Sequence, residues 1–258
     1  MRKLLLLFLT IGLSIIITAC GGNNFAGETK PENSSDESKA NNSGSEEKKE
    51  SEKEASDPKL ELETSTGGAW KDSIDSVWVH SSAVYVNTGD VPVDIGETQM
   101  TFKGTDGSVL GTASSVYSVP EIVEPGEKAF VTQSTILEGV TDPAEYAETT
   151  YNFGFDKAED SPNLLEVSGI KGTKGDEYTL YKVTGMVKNT TKELQDDIRL
   201  SAALYSEDGS LLGILEGSVS AGVNPGGEAG FELNYPEIPK DVVDKIAEVE
   251  VKAFGWSF

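Results

Sequence analysis

"TDGSVLG", Thr105 to Gly111, returns as "EDGSLLG", Glu207 to Gly213, 102 residues further along the chain. Taken alone, the second copy reads like a ligand loop, because Glu207 and Asp208 run into a glycine and a serine as a metal or phosphate site does. Three further pairs keep the same order and nearly the same spacing. "VEPGEKAF" (Val123–Phe130) matches "VNPGGEAGF" (Val223–Phe231), "NFGF" (Asn152–Phe155) matches "AFGW" (Ala253–Trp256), and Asn87 in "VYVNTGD" matches Asn189 in "GMVKNTT". Four anchors in one order at nearly constant offset mark an internal duplication. The residue before Asp changes from Thr105 to Glu207, whereas a metal loop copied for its ligands keeps its carboxylate. What repeats is therefore a turn.

Around these anchors the chain consists of short runs of Val, Ile, Leu, Tyr and Phe broken by Gly, Pro, Asn and Asp. That texture predicts many short strands, as in a sandwich, and a repeat of about 100 residues matches the size of an immunoglobulin-like sandwich. The expected fold is all-β, two tandem immunoglobulin-like β-sandwich modules, each with a short helical turn before its last strand. Asp-Gly between apolar runs predicts a two-residue type I′ hairpin turn, with positive φ at both central residues. Pro125-Gly126 and Pro225-Gly226 suit the centre of a type II turn. Asp142, Pro143 and Glu145 carry the cap, first-position proline and N3 carboxylate of a helix start. In the second copy, "PKDVVDKIAE" sets Val242, Val243 and Ile246 on one helical face.

The 258-residue chain carries 44 acidic and 21 basic side chains, a formal net charge of −23. That balance argues against nucleic acid, whose affinity comes from Lys and Arg releasing counterions. It also argues against an electrostatic hold on anionic lipid. One cysteine, Cys20, and one histidine, His80, rule out a disulfide within the chain and a Cys/His zinc site.

The N-terminus points to export. Arg2 and Lys3 precede an apolar run from Leu4 to Ile17, shorter than the ~20 residues of a membrane-spanning helix and suited to the core of a signal peptide. Ile17-Thr18-Ala19-Cys20 resembles a bacterial lipobox. The resemblance implies cleavage between Ala19 and Cys20, so that residues 1–19 are a lipoprotein signal peptide. It further implies a diacylglyceryl (palmitate-type) anchor on Cys20, and two acyl chains hold a protein stably on a membrane. Residues 20–58 then form an acidic tether. Gly21 to Pro58 has one aromatic residue, ten acids and five lysines, too little apolar surface to offset chain entropy. As a coil it spans ~35 Å. Residues 59–160 and 161–258 are expected to form the two modules.

Val183 to Gly213, "VTGMVKNTTKELQDDIRLSAALYSEDGSLLG", resembles the FxLYD-type domain of bacterial extracytoplasmic lipoproteins. In that family a strand ending in Asn leads to a Phe-x-Leu-Tyr-Asp strand and an Asp-Gly turn. Leu204 and Tyr205 match; Ala202 stands for the Phe and Ser206 for the Asp. The first module keeps only Phe102, in the Leu place, with Met100 and Lys103 departing. The resemblance implies an immunoglobulin-like sandwich on an anchored protein facing outside the cytoplasm, in a Gram-positive cell, and it brings no catalytic residue.

The candidates for chemistry are few. His80 in "SVWVHSS" alternates with Val77, Trp78 and Val79 as on a half-buried strand, and no Gly-x-Ser-x-Gly elbow accompanies it. Ser168 and Lys171 have the Ser-x-x-Lys spacing of penicillin-interacting enzymes, but among glycines and strands. Asp176-Glu177, Asp196-Asp197 and Glu207-Asp208 offer oxygen ligands without the Asp-x-Asp-x-Asp-Gly pattern of a calcium loop. Trp70, Trp78, Tyr85, Tyr117, Tyr181, Tyr205 and Trp256 suit core and inter-sheet packing rather than a sugar platform. No cofactor and no metal ligand set is expected. The leading expectation is a non-enzymatic interaction module for a protein or cell-envelope partner, acting through loops or an edge strand. The alternative is a small-ligand or cation-binding lipoprotein with a site between the two modules. A hydrolase comes third, disfavoured by the single histidine.

Overall fold

Each copy of the repeat folds into two facing antiparallel sheets with one hydrophobic filling, as the duplicated pattern of short strands requires. The computed structural model describes residues 57–115, 117–176 and 179–256. The leader, the lipobox with Cys20 and nearly all of the tether lie outside the described residues, as does Glu177. Among the described residues no helix is long and apolar enough to cross a membrane.

In the first module, β1 (Leu60–Lys71), β2 (Val77–Asn87) and β6 (Lys128–Ile136) form one sheet in the order β1-β2-β6. The facing sheet holds β3 (Val93–Gly104), flanked by β4 (Val109–Ser115) and β7 (Tyr146–Lys157), with β5 (Ile122–Val123) on the start of β3. Val79, Tyr85, Met100, Phe102 and Val131 pack between the sheets, and the Tyr85 ring lies 4.3 Å from that of Phe153. The second module repeats the plan. Its sheets are β12 (Glu228–Leu233), β9 (Tyr181–Lys188) and β8 (Glu166–Lys174), against β11 (Leu211–Val219), β10 (Ile198–Tyr205) and β13 (Glu248–Gly255). Leu200, Leu204, Leu215, Phe231 and Leu233 fill this sandwich. The helical turns before the last strands are 3-10 helices, Pro143–Glu145 and Lys240–Lys245. Asp142 caps the first, with Glu145 closing the capping box.

The Asp-Gly turns differ from expectation. Gly107 and Gly209 have φ of +81°, and neither Asp106 nor Asp208 has a positive φ, so the turns are not type I′. Gly107 N–H donates to the Gly104 carbonyl and Gly104 N–H to that of Ser108; Gly209, Ser206 and Ser210 repeat both bonds. Each is a three-residue loop, a type I turn closed by a left-handed glycine. Asp106 accepts the Ser108 N–H and Asp208 that of Ser210. The aspartates thus brace their own loops from the α side of the map.

The other anchors form a single device. Asn87 and Asn189 are fully buried. Asn87 Nδ2 donates to the carbonyls of Val91 and Val123, both at 2.8 Å, and Asn189 Nδ2 donates to those of Glu193 and Val223 at 2.7 and 2.8 Å. Their backbones grip the Pro-Gly turns: Gly126 N–H donates to the Asn87 carbonyl and Gly226 N–H to that of Asn189. Gly126 and Gly226 are left-handed at +81° and +76°, as a type II turn demands.

The modules stack face to face. The outer face of β1-β2-β6 lies on the outer face of β11-β10-β13, where Val84 and Phe130 meet Ala203, Leu211 and Ile214. Four sheets therefore form successive layers of one compact unit. Gly68 lies against Pro239, where a Cβ would come within 2.7 Å of the proline ring. The equivalent outer face of the second module, on β9 and β12, is solvated. By strand register Lys182, Thr184, Met186, Gly230 and Glu232 stand where the first module has His80, Ser82, Val84, Phe130 and Thr132, and Lys182 pairs with Glu232 at 3.2 Å. Phe231, matched to Phe130 in the sequence repeat, takes the place of the core residue Val131 instead.

Candidate functional site

His80 does not lie on a half-buried strand. Both faces of β2 are covered, one by the first module's own core and one by the second module, and His80 is 0% exposed. Alternation along β2 is therefore between two buried faces, not between core and solvent. His80 sits among hydroxyls that link the modules. Its Nε2 lies 2.7 Å from Ser82 Oγ and its Nδ1 3.2 Å from Ser134 Oγ. Ser134 Oγ donates to the Glu237 carbonyl, and the Ile214 N–H donates to Ser82 Oγ, both contacts crossing between modules. Since Ser134 spends its proton on Glu237, Nδ1 carries the imidazole proton and Nε2 accepts from Ser82. Burial pushes the imidazole pKa down to about 3, so the ring is neutral at physiological pH. Ser82 and His80 have the separation of a nucleophile and its base. Both are sealed from solvent, and Gly213 closes over the ring so nearly that a Cβ there would lie 3.2 Å from Nε2.

A second cluster stands at the same junction. The Arg199 guanidinium lies 5.1 Å from the Tyr117 ring and 5.0 Å from the Trp256 ring, and its Nη2 bonds Asp197 at 2.7 Å. Glu216 faces this group. Burial raises its carboxyl to about 7, against the opposing pull of Arg199 and the Tyr117 hydroxyl. Lys252 reaches across to Glu127 at 3.6 Å and lies over the Phe130 ring.

The remaining sequence candidates disperse. Ser168 and Lys171 are exposed on β8 at a break in its register with β9, distant in the sheet order from β2. Asp196 is exposed, Asp197 is committed to Arg199, and Asp176 accepts the Thr179 N–H. Asp208 is held below the usual carboxylate range by the Ser206 hydroxyl and the Ser210 N–H. Among the described residues no three His, Cys, Asp or Glu side chains converge as a metal site. Tyr85 and Tyr181 are core residues, whereas Tyr117, Tyr205 and Trp256 pack at the module junction.

Trp70 is placed otherwise. It pairs with Trp78 across β1 and β2 and lines a cleft of about 550 Å³ at one end of the junction. Lys71 and Ser73 continue the first module's wall; Leu180, Glu237 and Lys240 supply the second's. Asp72 locks the loop after β1, accepting from the N–H groups of Ile74 and Ser76 and from Trp78 Nε1, each at 2.9 Å. No local sequence signal marks this cleft, because its walls come from three segments that only the stacking of modules brings together.

No family model matches the chain, and no curated protein matches it. Among solved structures it is similar to a calcium-binding mutant of Bacteroides uniformis beta-glucuronidase 2, over 72% of its length at 12% identity and a TM-score of 0.21. It is also similar to a beta-glucuronidase from glycoside hydrolase family 2, over 72% at 10% identity and a TM-score of 0.16. The chain spans only 26% and 20% of those two proteins.

Proposed function

We propose that this chain is a non-enzymatic, lipid-anchored lipoprotein facing outside the cytoplasm, held in the cell membrane through Cys20 and acting as an interaction module for a protein or envelope partner. The observation that carries the non-enzymatic reading is the fate of His80. The one histidine is neutral, sealed between modules and bonded at both ring nitrogens, so it serves cohesion rather than proton transfer to a bound substrate. The edge of β8, which pairs with β9 alone among the described strands, offers a place for strand addition by a partner. The anchor rests on the lipobox resemblance. Replacing Cys20 by Ser and fractionating cells tests it: the variant is expected in the soluble fraction, and full membrane retention overturns the anchor. A second reading, a small-ligand site between the modules, is favoured by the cleft at Trp70.

A further inference from the structure

The geometry points to the Trp70 cleft as a saccharide-binding site that takes a short run of pyranose rings. This rests on the reading of the chain as an envelope-facing binding module and names the class of partner. The cleft's volume falls within the ~300–1,000 Å³ of small-ligand sites, and its composition suits a ring with one apolar face and a rim of hydroxyls. Trp70 and Leu180 supply apolar wall; Lys71, Lys240 and Ser73 supply donors; Glu237 supplies an acceptor. An indole accepts the C–H face of a sugar because its own face is electron-rich.

The walls are fixed before any ligand arrives, which lowers the ordering cost of binding. Asp72, which also lines the cleft, braces its loop and the Trp78 indole through three accepted hydrogen bonds. The other wall is fastened by the bond from Ser134 Oγ to the Glu237 carbonyl and by Pro239 seated on Gly68. These two fastenings flank Trp70 and Lys240, and they set the cleft's width through the module junction. Binding here bridges both modules.

The test is titration of the full-length protein, in a detergent without a sugar headgroup, with two probes: a β-1,4-linked tetramer of N-acetylglucosamine and a tetramer of galacturonate. Calorimetry and tryptophan fluorescence report binding. Saturable binding of either probe is expected, weakened at least tenfold by Trp70→Ala and several-fold by Glu237→Ala. Preference for the uronate assigns the role of Lys71 and Lys240 to an acidic sugar, and preference for the neutral tetramer assigns their role to hydroxyls. Failure of both probes to bind at millimolar concentration overturns the site, as does binding unchanged in either variant. If Trp70→Ala does not fold, the exposed Glu237→Ala decides. Retention at the membrane, read separately with Cys20→Ser, is untouched by any of these outcomes.

Discussion

His80 carries no charge in the folded protein until the pH approaches about 3, whereas in the unfolded chain it takes a proton near 6.5. A folded pKa below the unfolded one means that the unfolded state binds more protons between those limits. The stability owed to this neutral ring is therefore complete above about pH 6.5 and is lost as pH falls toward 3. The loss is at most roughly 4–5 kcal/mol, because a tenfold change in proton affinity corresponds to ~1.36 kcal/mol. His80→Gln keeps a polar side chain without this titration. Urea unfolding measured from pH 7 to pH 4 is expected to show a steeper fall for the natural protein than for the variant; parallel curves refute the assignment. The sequence displayed this residue without its environment. Trp78, His80 and Ser82 on one face of β2 read like any solvated strand face, because nothing local announces that a second module will cover it.

At the scale of the element, the Asp-Gly hairpins show which part of a turn is legible. The repeat placed both turns at the right residues, yet the loop is three residues long rather than two. Apolar alternation does not reveal this, since the register slips at a bulge between Phe102 and Lys103 in one copy and between Leu204 and Tyr205 in the other. The left-handed residue is glycine alone, so the strain of a substitution concentrates there. Gly209→Ala is expected to cost about 1–2 kcal/mol, the penalty of a Cβ at positive φ. Glu207→Thr, which installs the residue of the first copy, is expected to change stability by less than about 0.5 kcal/mol. Thermal unfolding of the two variants side by side checks both figures; a larger loss for Glu207→Thr would restore a role for that carboxylate. The buried asparagines were visible only as markers of the duplication. Their work of tying a loop to a Pro-Gly turn needs the folded neighbour, so the spacing gave their position without their partners.

For the whole molecule, the joined face matters most. Apolar contact among Val84, Phe130, Ala203 and Ile214 is sealed by hydroxyl bonds that would otherwise face water, and buried polar groups are costly when left unpaired. The two sandwiches are accordingly expected to unfold in one cooperative transition. Ile214→Glu sets an unpaired carboxylate into that face and is expected to split the calorimetric trace into two transitions, one for each sandwich. A single transition retained in the variant would show that the stacking contributes little to cooperativity.

The solvated face on β9 and β12 has a consequence for descent. After duplication the two copies were free to keep identical outer surfaces, and identical surfaces would let a third copy join the pile, or one molecule climb onto the next. Lys182 and Glu232 stand where His80 and Thr132 seal the joint, so the two modules are no longer interchangeable. Reversing their order in the gene would put charge into the joint and leave Val84 and Phe130 bare.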